Sequence, residues 1–294
     1  MTNATSEIFT LGHSPDPDDA FMFHAIATNK IDLRGYRFEH RLEDIQTLNE
    51  QAQRGELHIS AISIHAYAYV ADKYALLPCG ASMGDGYGPI VIRKHPTPDV
   101  QQSTPKQEGD ARESLRSGTI AVPGKTTSAF LALQLFLGKF NFIVVPFDKI
   151  FDAVETGRAD AGLIIHEGQL TYARSGFEKI VDLGEWWKRK TGLPLPLGGN
   201  VVRKDIPPLA RRDISEIVRE SIDYGLTHRE EAVAYSLAYA RDMNWELASK
   251  FIGMYVNEFT RDYGEIGRTA VRKFLSDGYE NTYIGVPIEL EFIE

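Results

Sequence analysis

Three carboxylates fall within four residues of the stretch HSPDPDDAF: Asp16, Asp18 and Asp19, set around two prolines just after a short apolar run. That grouping can hold a metal, attack a phosphate, protonate an alkene, or cap a helix. A metal needs carboxylates that converge on one ion, usually with help from elsewhere in the chain. Asp18 and Asp19 are adjacent in an expected first helical turn, so they point about 100° apart and converge poorly. A phosphotransfer aspartate would follow a more hydrophobic strand with small residues beside it, and the D-x-D-D acid of terpene cyclases belongs to an all-helical pattern that this chain lacks. Asp16 suits a helix N-cap, Pro17 the first helical position, and the next two carboxylates the positive helix end. The stretch is therefore expected to cap a helix, with Ser14 and Asp16 also lining a pocket, and no metal site is expected.

VPGKTTSAF offers different chemistry. Gly124 permits a tight turn, and Thr126, Thr127 and Ser128 set three hydroxyls at a helix start, where the end N–H groups form an anion site. No glycine lies five residues before Gly124, so the phosphate-loop spacing fails and a carboxylate is the guest to expect. Use of the hydroxyls as caps alone is the plain alternative. In GLIIHEGQ, His166 follows an apolar run and precedes Glu167 and Gly168, which sets it at the carboxyl end of a strand. A histidine there can take a proton near neutral pH. It is the candidate catalytic base, although an isolated histidine is commonly structural. His13 and His65 also lie near strand ends, whereas His40 sits in a charged strand, His95 in a polar stretch and His228 at a helix start. No H-E-x-x-H spacing occurs, and Ser60 and Ser63 in ISAISIH lack the G-x-S-x-G elbow of serine hydrolases.

These residues must be held by elements that alternate. EIFTLGHS, YRFEHRLED, HISAISI and YGPIVIRK read as strands, with PDDAFMFHAIATNKI and IQTLNEQAQRG as helices between them. Such alternation predicts an α/β fold with mainly parallel sheets flanked by helices. Residues 94–117 are polar and proline-bearing, which suggests a linker or surface excursion. Strand–helix alternation resumes with TIAV, FIVVPF and AGLIIHE, and residues 208–279 read as amphipathic helices before a final apolar run, YIGVPIELEFI, that suits a last strand. LNEQAQRGELHISAISIH and IFDAVETGRADAGLIIHE share one plan: helix, glycine, polar turn, buried strand. Aligning Gly55 with Gly157 brings Ser63 and His166 to nearly the same strand end, which implies two α/β lobes joined by two crossings in a hinged clamp. One lobe is expected to comprise 1–93 and 200–294, the other 118–199.

The chain has 294 residues, a net charge of −9 and 43% hydrophobic residues, an ordinary globular composition. The acidic balance argues against nucleic acid or an anionic membrane as partner, and leaves a small molecule. Cys79 is the only cysteine, so no internal disulfide or thiolate cluster can form. The N-terminal residues lack the pattern of a secretory signal, and a cytoplasmic location is expected.

HSPDPDDAFMF, ISAISIHAYAYV, GYGPIVI, IAVPGKTTSAFLAL, LIIHEGQLTYARSGFEKIVDLGEWWKRKTGLPLPLG and YVNEFTRDYGEIGRTAVRKF together resemble the 1,4-dihydroxy-6-naphthoate synthases of the futalosine route to menaquinone, in order and nearly end to end. The resemblance implies a two-lobed, periplasmic-binding-protein-like fold of type II with a helical C-terminal region. It also implies cleavage of cyclic dehypoxanthine futalosine to 1,4-dihydroxy-6-naphthoate and a sugar-derived fragment without metal or organic cofactor. A monomer or homodimer is expected. His166 matches the family's base, and Ser63 with Ala61 and Ile62 matches its substrate-contacting strand end. Thr127 and Ser128 fall on the family's paired threonines, serine keeping the hydroxyl and losing a methyl. Ser14, Asp16, Thr126 and Gly199 complete the expected substrate-binding set. The rival readings are chorismate dehydratase of the same route and a cytoplasmic solute-binding protein without activity.

Overall fold

The computed structural model describes residues 7–95, 108–239 and 243–294. In chain order its elements begin β1 (Ile8–His13), α1 (Pro17–Ala27), β2 (Arg37–Leu42), α2 (Ile45–Arg54), β3 (Ile59–Ser63), α3 (Ile64–Tyr67), β4 (Tyr74–Leu76), β5 (Ser82–Gly84) and β6 (Ile90–Lys94). They continue with α4 (Glu108–Ser117), β7 (Thr119–Val122), α5 (Ser128–Leu137), β8 (Asn141–Val144), α6 (Ile150–Glu155), β9 (Ala161–Ile164), α7 (Gly168–Thr171), β10 (Phe177–Asp182) and α8 (Leu183–Thr191). The last are β11 (Leu195–Arg203), α9 (Pro208–Thr227), α10 (Arg229–Ser236), α11 (Trp245–Tyr255), α12 (Glu258–Arg261) and α13 (Gly264–Glu280).

Two compact units result. The first takes Met1–Met83, Pro196–Arg272 and Ile288–Glu294; the second takes Gly84–Leu195 and Lys273–Pro287. The division thus falls at 83/84 and 195/196, where the sequence reading set it near 93 and 199, and it assigns 273–287 to the second unit. Of the polar segment 94–117, residues 96–107 lie outside the described residues and 108–117 form α4.

Each unit is built on a mixed sheet. In the first the order is β2-β1-β3-β11-β4, with β5 also on β11. Strands β2, β1 and β3 are parallel, and β11 runs antiparallel to β3 and β4. In the second the order is β10-β6-β9-β7-β8, parallel from β9 to β8 and antiparallel at β6. The parallel half of each sheet is what strand–helix alternation predicts. The antiparallel pairings join strands far apart in the chain, such as β3 with β11 and β6 with β10, and that separation hides them from local pattern.

Burial explains the placement of α1. Its apolar residues point all round, and α9, α10 and α11 pack against it, so that Phe21, Met22 and Phe23 share one core with Phe9, Ile59, Ile217 and Ile252. The second unit has its own core, from Ile90, Ile92, Val145, Ile150, Ile164 and Phe177. The repeated plan is visible: α2 ends at Gly55 and α6 runs out at Gly157, with φ of 71° and 73°, each followed by a buried strand. Both glycines take the left-handed conformation that lets a helix stop short of the next strand. The final apolar run is not a strand. Only Phe292 bridges, to Leu76, where Leu76 N–H donates to Glu291 O and Ile293 N–H to Leu76 O. Pro287 carries no N–H to donate, and pairing is confined to the last residues. No helix among the described residues is long and apolar enough to cross a membrane.

Candidate active site

At the carboxyl end of β1 the chain turns through Ser14 and Pro15 into α1. Asp16 takes the N-cap position with extended backbone, and Pro17 follows at the first helical position. The Asp16 side chain makes no capping hydrogen bond. The backward reach comes instead from Asp19, whose Oδ2 accepts the Ser14 N–H at 2.7 Å. Ser14 Oγ accepts the Asp16 N–H at 3.1 Å, and the Ser14 carbonyl accepts from His13 Nδ1 at 2.9 Å. Ser14 is thus gripped at its N–H, its carbonyl and its hydroxyl oxygen. Burial pushes the Asp19 carboxyl up to about 6, against the pull of the Ser14 N–H. Burial, then the charges of Asp19 and Asp16, raises Asp18 well above the usual carboxylate range. Desolvation therefore outweighs the favourable helix end at these carboxyls. No group of three His, Cys, Asp or Glu residues that could hold a metal occurs among the described residues.

The neighbouring strand end carries Ala61, Ile62 and Ser63, all buried. Asn49, fully buried on α2, brackets Ser63: its Oδ1 accepts the Ser63 N–H at 2.9 Å and its Nδ2 donates to Ser63 Oγ at 3.0 Å. Sequence reasoning passed over Asn49. The available signal was an amide on the otherwise apolar face of an amphipathic helix, beside Leu48 and Ala52. Gly199 on β11 pairs with Ile62, and a Cβ there would lie 2.3 Å from the Tyr263 hydroxyl, so packing demands glycine at that register. Asn200 donates to Gly80 O at 3.1 Å, tying β11 to the loop before β5.

In the second unit, β7 leads through Pro123 and Gly124 to α5. Thr127 is the N-cap: its Oγ1 accepts the Phe130 N–H at 3.2 Å and donates to Gly124 O at 3.0 Å. The hydroxyl proton of Thr127 is therefore committed locally. Ser128 is buried in the first turn, and Thr126 is half-buried before the cap.

His166 lies two residues past the end of β9 and is 8% exposed. The ring meets the edges of Phe147 and Phe151 at centroid distances of 5.6 and 6.0 Å. Its Nδ1 accepts the Gly168 N–H at 3.1 Å and lies 3.7 Å from Glu167 Oε2. A nitrogen that accepts a backbone N–H carries no proton, so the neutral ring holds its proton on Nε2. Gly168 is the residue that allows this approach, since a Cβ there would come within 2.6 Å of Phe151 and 2.7 Å of the His166 ring.

The first unit thus carries Ser14 and Asp16 just past the end of β1, with Ala61, Ile62 and Ser63 on β3 and Gly199 on β11 beside it, and the second carries Thr126, Thr127 and Ser128 past the end of β7 and His166 past the end of β9. Against this geometry, the profile of a menaquinone-biosynthesis family matches residues 9–280, spanning both sets. The chain belongs to the menaquinone-biosynthesis family. A 1,4-dihydroxy-6-naphthoate synthase of Thermus thermophilus is 39% identical over 271 residues, covering 92% of this chain and 94% of that protein. A crystal structure of a protein from Archaeoglobus fulgidus superposes with a TM-score of 0.86 at 40% identity, covering 95% of this chain and all of that one. The fold of this menaquinone-biosynthesis family member extends much further than the family. A Candida albicans protein with the generic periplasmic-binding-protein fold aligns at a TM-score of 0.68 and 14% identity, over 98% of this chain and 97% of that one. The two-unit α/β architecture is accordingly a periplasmic-binding-protein-like fold.

Proposed function

We propose that this protein is a 1,4-dihydroxy-6-naphthoate synthase, a carbon–carbon lyase that acts on cyclic dehypoxanthine futalosine in menaquinone biosynthesis. The observation that carries this reading is the near full-length likeness to a curated synthase. Fold alone would not separate an enzyme from a solute binder. In this reading His166 is the general base. It removes a proton from the substrate, and the electron pair left behind drives cleavage of a carbon–carbon bond as the naphthoate ring becomes aromatic. A positioned base contributes about 10²–10⁴-fold. The tautomer sets a condition on that step. Held as it is, the ring presents Nε2–H, a donor; to accept a proton at Nε2 it must carry its proton on Nδ1 and give up the Gly168 N–H. The Glu167 carboxylate, 3.7 Å from Nδ1, is the group suited to receive that Nδ1–H. Ser14 and Ser63, with Thr126 and Ser128, orient polar groups of the substrate, and Asp16 and Gly199 line the places where it is held.

Incubating the purified protein with cyclic dehypoxanthine futalosine, and separately with chorismate, tests the assignment. Formation of 1,4-dihydroxy-6-naphthoate from the first alone is the expected result. Turnover of chorismate, or binding without product, overturns it. His166→Ala is expected to keep the fold and bind substrate while losing at least about 10²-fold in kcat, and near-normal turnover by that variant removes His166 from the role.

A further inference from the structure

His13 and His40 lie outside the chemistry assigned above, yet their geometry is unusually determinate. His13 Nδ1 is 2.9 Å from the Ser14 carbonyl oxygen, which can only accept. His13 Nδ1 therefore bears a proton, and in the neutral ring Nε2 carries the lone pair. His40 Nδ1 lies 3.0 Å from that Nε2, so His40 must donate through an Nδ1–H of its own. Its remaining nitrogen, Nε2, is then a buried acceptor with no hydrogen-bond partner among the described residues. The chain of protons runs one way, from β2 through β1 into the loop. The His13 ring is also stacked on Phe23 of α1 at a centroid distance of 4.8 Å, and the two imidazoles meet edge to face at 87°. Burial pushes both rings down to about 4, so both are neutral at physiological pH. The first unit contains its own contrast. His58 Nδ1 accepts from the Thr10 N–H at 3.1 Å and must be the Nε2–H form, as must His166.

We propose that His13 and His40 are positioning residues of the Ser14–Asp19 loop: a chain of two neutral imidazoles, His40 to His13 to the Ser14 carbonyl, holds that loop in the orientation in which it receives substrate. The chain works against the opposite grip, the Asp19 carboxylate on the Ser14 N–H, so the peptide planes flanking Ser14 are fixed from two sides. Its bearing on catalysis rests on the reading of Ser14 as a substrate-facing residue; the proton chain itself does not.

Ring-nitrogen NMR of the full chain labelled with ¹⁵N-histidine, at pH 7.5 and without substrate, tests the chain directly. His13 and His40 are expected as Nδ1–H forms in the same spectrum in which His58 and His166 are Nε2–H forms; either of the first two in the Nε2–H form overturns the proposal. His40→Phe removes the donor to His13, whereas His40→Asn sets an amide donor close to where Nδ1 stood. In H40F the Ser14 carbonyl ¹³C resonance is expected to move and KM for cyclic dehypoxanthine futalosine to rise about 3–10-fold, the loss of one hydrogen bond, with a smaller change in kcat, and H40N is expected to restore both. A Ser14 resonance unmoved in H40F overturns the positioning role. Should wild-type protein fail to turn over that substrate, the functional reading falls while the tautomers and the Ser14 resonance still decide the proposal. Should H40F fail to fold, the wild-type spectrum decides it.

Discussion

Single side chains in this protein are held by partners that local sequence does not advertise. His166 was legible as a candidate from residue type and strand-end position, and Ser63 from the family resemblance. Asn49, which brackets Ser63 through two hydrogen bonds, was not, because its role depends on α2 packing beside β3. Asn49→Leu is expected to destabilise the protein by about 1–3 kcal/mol, since a buried Ser63 N–H loses its acceptor. Urea unfolding monitored by circular dichroism checks this, and a midpoint unchanged from wild type contradicts it. The imidazole pair makes a second prediction, about acid. His13 and His40 titrate at about 4 when folded, below the ordinary 6.5. Between those values the unfolded chain binds more protons, so stability is full above about pH 6.5 and falls as pH drops toward 4. Asp19, raised to about 6, works in the opposite sense between 6 and its ordinary 3.8. From pH 7.5 to 5.0 the wild type is expected to lose roughly 3–4 kcal/mol more stability than H13F/H40F, read from urea midpoints at the two pH values. Equal losses in the two proteins sink this account.

At the scale of elements, turns and close approaches set what each helix can do. The first turn of α1 was legible in outline, with Pro17 at its start and carboxylates in place. Asp16 holds the N-cap position as expected, but its side chain makes no capping bond, and the side-chain bond at this turn runs instead from the Ser14 N–H to Asp19. That substitution depends on where the Ser14 N–H points, which a linear pattern does not contain. A tighter constraint lies at α8. A Cβ at Gly184 would stand 1.8 Å from the Tyr87 carbonyl oxygen, and one at Gly84 would stand 1.9 Å from the same oxygen. One carbonyl is thus wedged between two glycines, just before β6 begins. Gly184→Ala must move backbone rather than a flexible side-chain tip, and is expected to cost about 3 kcal/mol or more. Thermal unfolding tests it; a shift no larger than that of an exposed helix alanine would mean the loop adjusts freely. Gly168→Ala acts on a different property. It crowds His166 and Phe151 together, so kcat is expected to fall more than stability does.

For the molecule as a whole, fold class was readable because apolar runs alternate with amphipathic helices. Sheet order was not, because β11 joins β3 from a distance of well over a hundred residues: Ala61 faces Asn200. Only a three-dimensional core, with Ile59 and Val202 in one cluster, specifies that pairing. Contacts this remote form late in folding, whereas β7 and β8, with Thr119 facing Asn141, close a short crossover. Pulsed hydrogen exchange during refolding is expected to protect β7, β8 and β9 before β11; protection of β11 first would contradict this order.

The same pairing has a meaning on the ribosome. Translation delivers the buried strand Ile59–Ser63 long before Asn200 exists to cover its open side. At ordinary elongation rates that interval lasts roughly 7–30 s. Throughout it the nascent chain presents an apolar strand edge of the kind other chains pair with. The Gly84–Leu195 part of the second unit is synthesised inside that same interval, so its early folding and the shielding of the waiting strand are two demands on a single stretch of time.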